Sequence, residues 1–504
     1  MVASETIADV SASGREQRST AAGKLSVAQI LRLGAAGAVN DATSGQVQSV
    51  LAKLSLCRTH VLGGRKFRCA DCAEITSLYN SCGDRHCPRV AVVNSCSGGK
   101  RVDFHDKATK LILSGVTYYQ VVFTLPSELS ELALANRYEM ADLLVDSAWK
   151  SLSRRIKAEQ DYDPAAMTIL HTWNQKLEAH WHVHMLVPGA GPGLSTRQWT
   201  EATAPTGSRN SDGFYLVDAD PLREAYREQA IGKLRRLRSA GKLKLVGKFE
   251  YLRSNENWDA FVKNLESKKW VAYIQPPPSV TSSACQVVRY LTRYLTGGPI
   301  SDRRIVAADA DEVTFMARDG KRVGGEREQV PVTMSSSEFV GRWCLHIQPD
   351  QLTKTRYLGG WSNNRRGAYQ DRCREQLEAV EGWRLEEPSA DSSKEAFAQS
   401  PDQVCEHCGS DRIELIQDTP KPSWAEIFRR EDDRCPEWYA DRQRESHRRL
   451  WTASYGTDFY DWYVETQVES AEEIERERIA MVQLPLAGFT GDLGYPQSYL
   501  VDSF

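Results

Sequence analysis

The segment His180-Trp181-His182-Val183-His184-Met185 alternates three imidazoles with three apolar side chains. That is the two-residue period of a β-strand. Such a strand has a histidine face, with Trp181, Val183 and Met185 turned into a core. The fold must therefore cover one side of its sheet and leave the other polar. Imidazoles at i and i+2 on a rigid strand can share one divalent ion. With ten histidines in 504 residues, three in alternation by chance is improbable, so a metal site is expected here.

A metal needs a reaction, and residues 285–296, CQVVRYLTRYLT, offer one. As a helix this run stacks Tyr290 and Tyr294 one turn apart on one face. Val287, Val288, Leu291 and Leu295 anchor it, and Gly297-Gly298-Pro299 ends it. A phenol with a pKa near 10 is a weak nucleophile, yet it can form covalent intermediates with an activated electrophile. A phosphodiester held by a cation is one. Alone, the two tyrosines would read as packing residues; beside the histidine strand they read as nucleophiles.

Cys57-x-x-His60, Cys69-x-x-Cys72 and Cys82-x-x-x-His86-Cys87 fall within 31 residues, and Gly63-Gly64 supplies a turn. Paired ligands at short spacing are what tetrahedral zinc requires. Further on, Cys405-x-x-Cys408, with Cys435 and His447 beyond it, has the spacing of half a zinc site, but a lone CxxC is weak evidence for one. The net charge of −3 hides an asymmetry: residues 381–504 carry −14 and residues 1–380 carry +11. A nucleic-acid-binding body with an acidic tail fits that balance. Arg235 and Arg236 lie in its densest basic run, 227–253, where phosphate contacts are expected. No run of apolar residues is long enough for a membrane span. The polar first 23 residues resemble neither a signal nor a transit peptide. The expected setting is cytoplasmic, with nucleoid association when DNA is bound.

Several stretches in order are similar to the HUH single-strand endonucleases, and more closely to bacterial rolling-circle insertion-sequence transposases with an N-terminal zinc-binding domain. They are CRTHVLGG (57–64), NSCGDRHCPR (80–89), VVFTLP (121–126), HTWNQ (171–175), HVHMLVPGAG (182–191), WVAYIQPP (270–277), RYLTRYL (289–295) and EFVGRWCLHIQP (338–349). The family continues His-Cys-Pro-x-Cys where this chain has Val90, so Cys96, His60 or His86 is left to complete the zinc shell.

The resemblance implies an α+β fold: an HUH palm, with an antiparallel sheet and flanking helices, related to the ferredoxin-like folds. The expected division is a disordered lead (1–25), a helical and zinc-binding domain (26–100), the catalytic domain (101–380) and an acidic C-terminal region (381–504). His182 and His184 would hold Mg²⁺ or Mn²⁺, with Gln175 or His180 as third ligand. Tyr290 or Tyr294 would attack single-stranded DNA at the element's ends, leaving a 5′-phosphotyrosine. Arg289, Arg293, Arg303 and Arg304 would pair with phosphate. Trp173, Trp181 or Tyr273 would stack on unpaired bases, Trp181 being the best suited to a core. Alternatives are a rolling-circle replication initiator or relaxase, and a zinc-dependent DNA-binding protein without catalysis.

Overall fold

The computed structural model describes residues 25–40, 43–88, 96, 107–113, 115–204, 215–275, 298–318, 328–380, 404–429 and 432–455. Tyr290, Tyr294, Arg289 and Arg293 lie outside these residues, as do the first 24 positions and the acidic run 468–482.

The chain begins with two short helices whose starts the sequence announces. Ser26 caps α1 (Val27–Ala38) through a capping box with Gln29, and Ser44 caps α2 (Gly45–Ser55). A hairpin, β1 (Gly64–Cys69) and β2 (Ile75–Tyr79), follows. Next come β3 (Tyr118–Thr124), α3 (Ser127–Leu132), α4 (Arg137–Gln160), β4 (Ala165–Trp173) and β5 (Ala179–Pro188). A small hairpin of β6 (Ala190–Pro192) and β7 (Trp199–Glu201) leads to α5 (Ala219–Ser239), α6 (Asn255–Ser267) and β8 (Val271–Gln275). Then come β9 (Ile305–Ala308), β10 (Glu312–Arg318), β11 (Gln329–Ser335), α7 (Ser336–Cys344), β12 (Thr355–Gly359) and α8 (Arg366–Glu378). Last are β13 (Ile413–Thr419), α9 (Trp424–Ile427) and α10 (Glu437–Tyr455).

The central sheet is antiparallel throughout, in the order β12-β4-β5-β3-β8. One face is dry. Phe123, Leu170, Trp181, Val183 and Met185 meet Leu144, Leu152, Tyr226 and Trp258 from α4, α5 and α6 in the largest core. Phe123 and Tyr226 touch edge to face at 5.0 Å. Among the described residues the other face is covered at its ends. Met167 and Leu186 pack with Trp361, Tyr369 and Leu377 on one side. On the other, Leu177 in the β4–β5 turn joins the core of α1, α2, α7 and the β9–β10–β11 sheet. The middle of that face carries the histidines.

The fold is thus mixed α and β with antiparallel sheets and a separate cysteine-rich module. That module is discontinuous. Residues from α1, α2 and the cysteine loop share one core with Phe315, Trp343 and Ile427. Strand β13 pairs antiparallel with β1 to give the order β13-β1-β2. Residues 404–455, expected to belong to a separate acidic region, therefore fold onto the N-terminal module. Lys421 Nζ donates to the Cys82 carbonyl at 3.1 Å, and Arg442 donates to the Val39 carbonyl at 3.1 Å.

Helices α1 and α7 cross at Gly34, where an added Cβ would lie 2.8 Å from Val340 Cγ2 and 2.9 Å from the Ser336 carbonyl oxygen. Gly34→Val should lower stability by about 1–3 kcal/mol through overpacking. Gly37 has room, its Cβ position being 3.6 Å from Ser337 Cβ. Gly37→Ala should be neutral or stabilising by about 0.5–1 kcal/mol, because a helical glycine loses more freedom on folding. Thermal denaturation of the two variants beside the parent checks both signs.

Candidate metal centre and zinc-binding module

Pairing across the sheet decides which side chains meet. His182 lies opposite His171 on β4 and Thr124 on β3, while His184 lies opposite Ile169 and Val122. Directly paired residues share a face. One row therefore reads His171, His182, Thr124, Val271, and the next reads Thr355, Ile169, His184, Val122, Tyr273. The ligand nitrogens of His171, His182 and His184 all lie within 4.8 Å of one another.

The third imidazole is His171, from the HTWNQ stretch, and not a residue the spacing on β5 suggested. His180 stands beside His182, with ring centroids 5.1 Å apart, but does not belong to the converging group. Gln175 sits in the β4–β5 turn, beyond the end of β4, where its carbonyl accepts from the Arg304 guanidinium. A clue to His171 was present in the sequence: it stands at the end of an apolar run, MTIL, that shares the strand period.

Hydrogen bonds set the tautomers. His182 Nδ1 donates to the His180 carbonyl at 3.0 Å, which leaves the Nε2 lone pair for a ligand. His184 Nδ1 is 2.7 Å from the Gln120 side-chain amide, which is buried on β3. With an ion on Nε2, His184 Nδ1 carries the proton and the amide turns its oxygen toward it. The Trp173 ring stacks on His171, with centroids 4.7 Å apart and planes 20° apart. Lys354 Nζ lies 5.7 Å from the Trp173 ring centre.

Burial favours the neutral form of the three imidazoles on β5. Desolvation pushes His184 down to about 4 and His182 well below its ordinary value, with repulsion from His171, His184 and His180 adding to the latter. His180 is lowered by the same desolvation. Neutral imidazole nitrogens converging within reach of one ion suit a divalent cation, so this donor set fits one.

The turn that carries this site is held from below. Asn174 Oδ1 accepts from the Lys176 and Glu178 amides at 2.8 and 3.0 Å, an Asx turn that puts Leu177 at φ 62°. His346 accepts from the Thr172 hydroxyl at 3.1 Å and donates Nε2–H to the Leu177 carbonyl at 3.0 Å. Gln348 reaches the Thr172 hydroxyl with its side chain, and its backbone N–H donates to His86 Nε2 at 3.1 Å. The cysteine-rich loop and the strand bearing His171 are therefore bonded through one buried network.

The cysteines form two groups of four: Cys57, Cys82, Cys87 and Cys96, and Cys69, Cys72, Cys405 and Cys408. In the first, Cys57 Sγ is 3.7 Å from Cys87 Sγ and 3.1 Å from Cys96 Sγ. These are far beyond a disulfide bond of about 2.05 Å. They approach the edge of a tetrahedron with Zn–S bonds of about 2.3 Å, roughly 3.8 Å. Cys96 thus joins the group in the role that Val90 leaves open. His60 is exposed and His86 has both ring nitrogens engaged, Nδ1 with Asp84 at 2.9 Å and Nε2 with Gln348, so neither is a ligand of these groups. Cys435 and His447 belong to neither group.

The arginines divide. Arg304 is half-buried and braces two elements, donating to the Met316 carbonyl at 2.8 Å and to the Gln175 carbonyl, with its plane 5.5 Å from the Phe315 ring centre. Desolvation lowers its pKa. Arg303 is exposed. Arg235 pairs with Glu266 at 2.7 Å, while Arg236 is exposed on the same helix. Trp181 is fully buried, whereas Tyr273 is 54% exposed at the edge of the histidine face.

Residues 165–368 match the family model described as "Putative transposase", and residues 33–125 match the IS91-type model described as "Transposase zinc-binding domain". The chain is 30% identical over 332 residues to "Putative transposase y4qJ" of Sinorhizobium fredii, covering 65% of this chain and 77% of that protein. It is 24% identical over 329 residues to the transposase of insertion sequence element IS801 of Pseudomonas savastanoi pv. phaseolicola, covering 64% and 72%. No solved structure matches it.

Two expectations follow from the geometry. Gln120→Leu should weaken Mn²⁺ binding about 10- to 100-fold, because an outer partner that orients a ligating histidine is lost; calorimetric titration of the folded variant measures it. Burial also holds His346 near 4. Its folded pKa lies below the unfolded value of about 6.5, so stability is full above that pH and falls as the pH drops from about 6.5 toward 4. His346→Gln should flatten this fall in a series of denaturation midpoints. The matched domains and relatives together show that the chain belongs to the family of transposases bearing the IS91-type zinc-binding domain.

Proposed function

We propose that this transposase is a metal-dependent HUH endonuclease. It would nick single-stranded DNA at the ends of its element through a 5′-phosphotyrosine and move strands by a rolling-circle route. The observation that carries this reading is the convergence of His171, His182 and His184 on one face of an antiparallel sheet, opposite its main apolar core. Strand β8 forms the sheet edge on that face, and the chain runs from it toward Tyr290 and Tyr294. Mg²⁺ or Mn²⁺ held by these imidazoles would withdraw charge from the scissile phosphate.

The remaining roles belong to the chain's own side chains. Tyr290 or Tyr294 attacks phosphorus; a tyrosyl O–P bond forms, the P–O3′ bond breaks, and the departing 3′ oxygen takes up a proton. The second tyrosine can accept another strand while the first is occupied. Tyr273, exposed beside the histidine row, offers a face for an unpaired base. Arg303 and Arg236, both exposed, can meet phosphates, whereas Arg304 acts as a brace. A replication initiator or relaxase would use the same chemistry, and the transposase relatives favour the element-end substrate.

The test is cleavage of labelled single-stranded DNA carrying the element's ends, with Mn²⁺ present. The parent should yield a protein–DNA adduct that survives denaturation. It should vanish in Tyr290→Phe/Tyr294→Phe and fall at least 100-fold in His182→Ala and His171→Ala. Gln175→Ala should retain activity within a few-fold. Cleavage without an adduct in the parent would replace the tyrosine reading with a water-using nuclease.

A further inference from the structure

The second cysteine group draws its halves from opposite ends of the chain. Cys69 Sγ lies 3.5 Å from Cys408 Sγ and Cys72 Sγ lies 3.6 Å from Cys405 Sγ, across sequence separations of 339 and 333 residues. The match to the zinc-binding domain ends at residue 125 and the match to the transposase model at 368, so neither includes Cys405 or Cys408. We propose that these four thiolates hold a second zinc ion that clasps the C-terminal segment onto the N-terminal module, and that this ion leaves more readily than the one at Cys57, Cys82, Cys87 and Cys96.

Two observations beyond the thiol distances support the site. Both halves are built as the same backbone knuckle. The Ala73 amide donates to the Cys69 carbonyl at 3.0 Å, and the Gly409 amide donates to the Cys405 carbonyl at 2.8 Å. The Cys69 amide donates to the Glu74 carbonyl at 3.0 Å, and the Cys405 amide donates to the Ser410 carbonyl at 2.6 Å. Ala73 and Gly409 even share a left-handed conformation, φ 59° and 77°. Such a turn points two sulfurs to one side, and two turns face to face complete a tetrahedron. The halves are also joined to each other around the sulfurs. The Ala70 amide donates to the Arg412 carbonyl at 2.8 Å, Asp71 pairs with Arg412 and Ser410, and β13 continues from the second knuckle into the register with β1.

The difference in lability follows from exposure. Cys57, Cys82 and Cys87 are buried in a core shared with α1, α2 and α7. In the second group Cys69 and Cys405 are buried but Cys408 is exposed and Cys72 half-buried, so a chelator reaches this site through those two, whereas in the first group only Cys96 is less than buried. The clasp closes the chain around the whole histidine-bearing domain, since that domain lies between its two halves in sequence.

The first measurement is zinc per chain by mass spectrometry on the full protein purified under reducing conditions. Two ions are expected in the parent and one in Cys405→Ser/Cys408→Ser. Cys69→Ser/Cys72→Ser should also hold one. A parent with one ion, or a double variant that keeps two, would overturn the proposal. Chelator kinetics on the parent need no variant: release should be biphasic, with the fast phase absent in Cys405→Ser/Cys408→Ser. A fast phase that persists there would place the labile ion elsewhere. Cobalt exchange into the parent should give the charge-transfer intensity of eight thiolates; the intensity of four would count against a second site. Finally, a specific protease site inserted within 381–403 separates the halves covalently. The C-terminal fragment should stay bound while zinc is present and dissociate when the fast-exchanging ion is removed; retention after its removal would refute the clasp.

Discussion

The register between β4 and β5 is the constraint on which the candidate site depends. His171 faces His182 only because these strands pair antiparallel from Met167↔Leu186 to His171↔His182, with an irregularity before Trp173↔Ala179. A slip of one residue would send every side chain of one strand to the opposite face. Trp181, Val183 and Met185 would then lose their core while the imidazoles entered it. The register is therefore held by apolar burial on one face, and the convergence of the imidazoles on the other is its consequence. Asn174, Leu177, His346 and Thr172 fasten the turn that joins the two strands.

That fastening also ties the histidine strand to the cysteine module. His86 donates nothing to a metal; it orders Gln348, which reaches Thr172 one residue from His171. Arg304 adds a second strut from the β9–β10 sheet to the same turn. The module is thus a scaffold against which the turn is set, besides any role in holding DNA. It is discontinuous in sequence because α1 and α2 share one core with β9–β11, α7 and Ile427 of α9, while β13 joins it by pairing with β1.

Much of this was legible from local pattern. The alternation at 180–185 marks a two-faced strand, and the serines at the starts of α1 and α2 each make a capping bond. The zinc pairs were visible as pairs. What local pattern missed were partners distant in sequence. His171 was passed over because no spacing rule links it to His182 across a turn. Spacing alone groups His60 and His86 with the cysteines, whereas in the structure Cys96 completes the first group and Cys405 and Cys408 the second. Arg304 was read as a phosphate contact because a sequence cannot show that a guanidinium is occupied by carbonyls.

The sequence by itself determined the types of element, the side chains that must be buried and the chemical classes of ligand, because these depend on periodicity and on the intrinsic chemistry of each residue. Tertiary structure alone decided which ligands share an ion. A ligand set is a statement about distances between a few atoms, and those are fixed by strand register, by the position of a turn and by the return of the C-terminal strand β13 to β1. The energies that set them come from burial of the apolar faces that the strands and helices share.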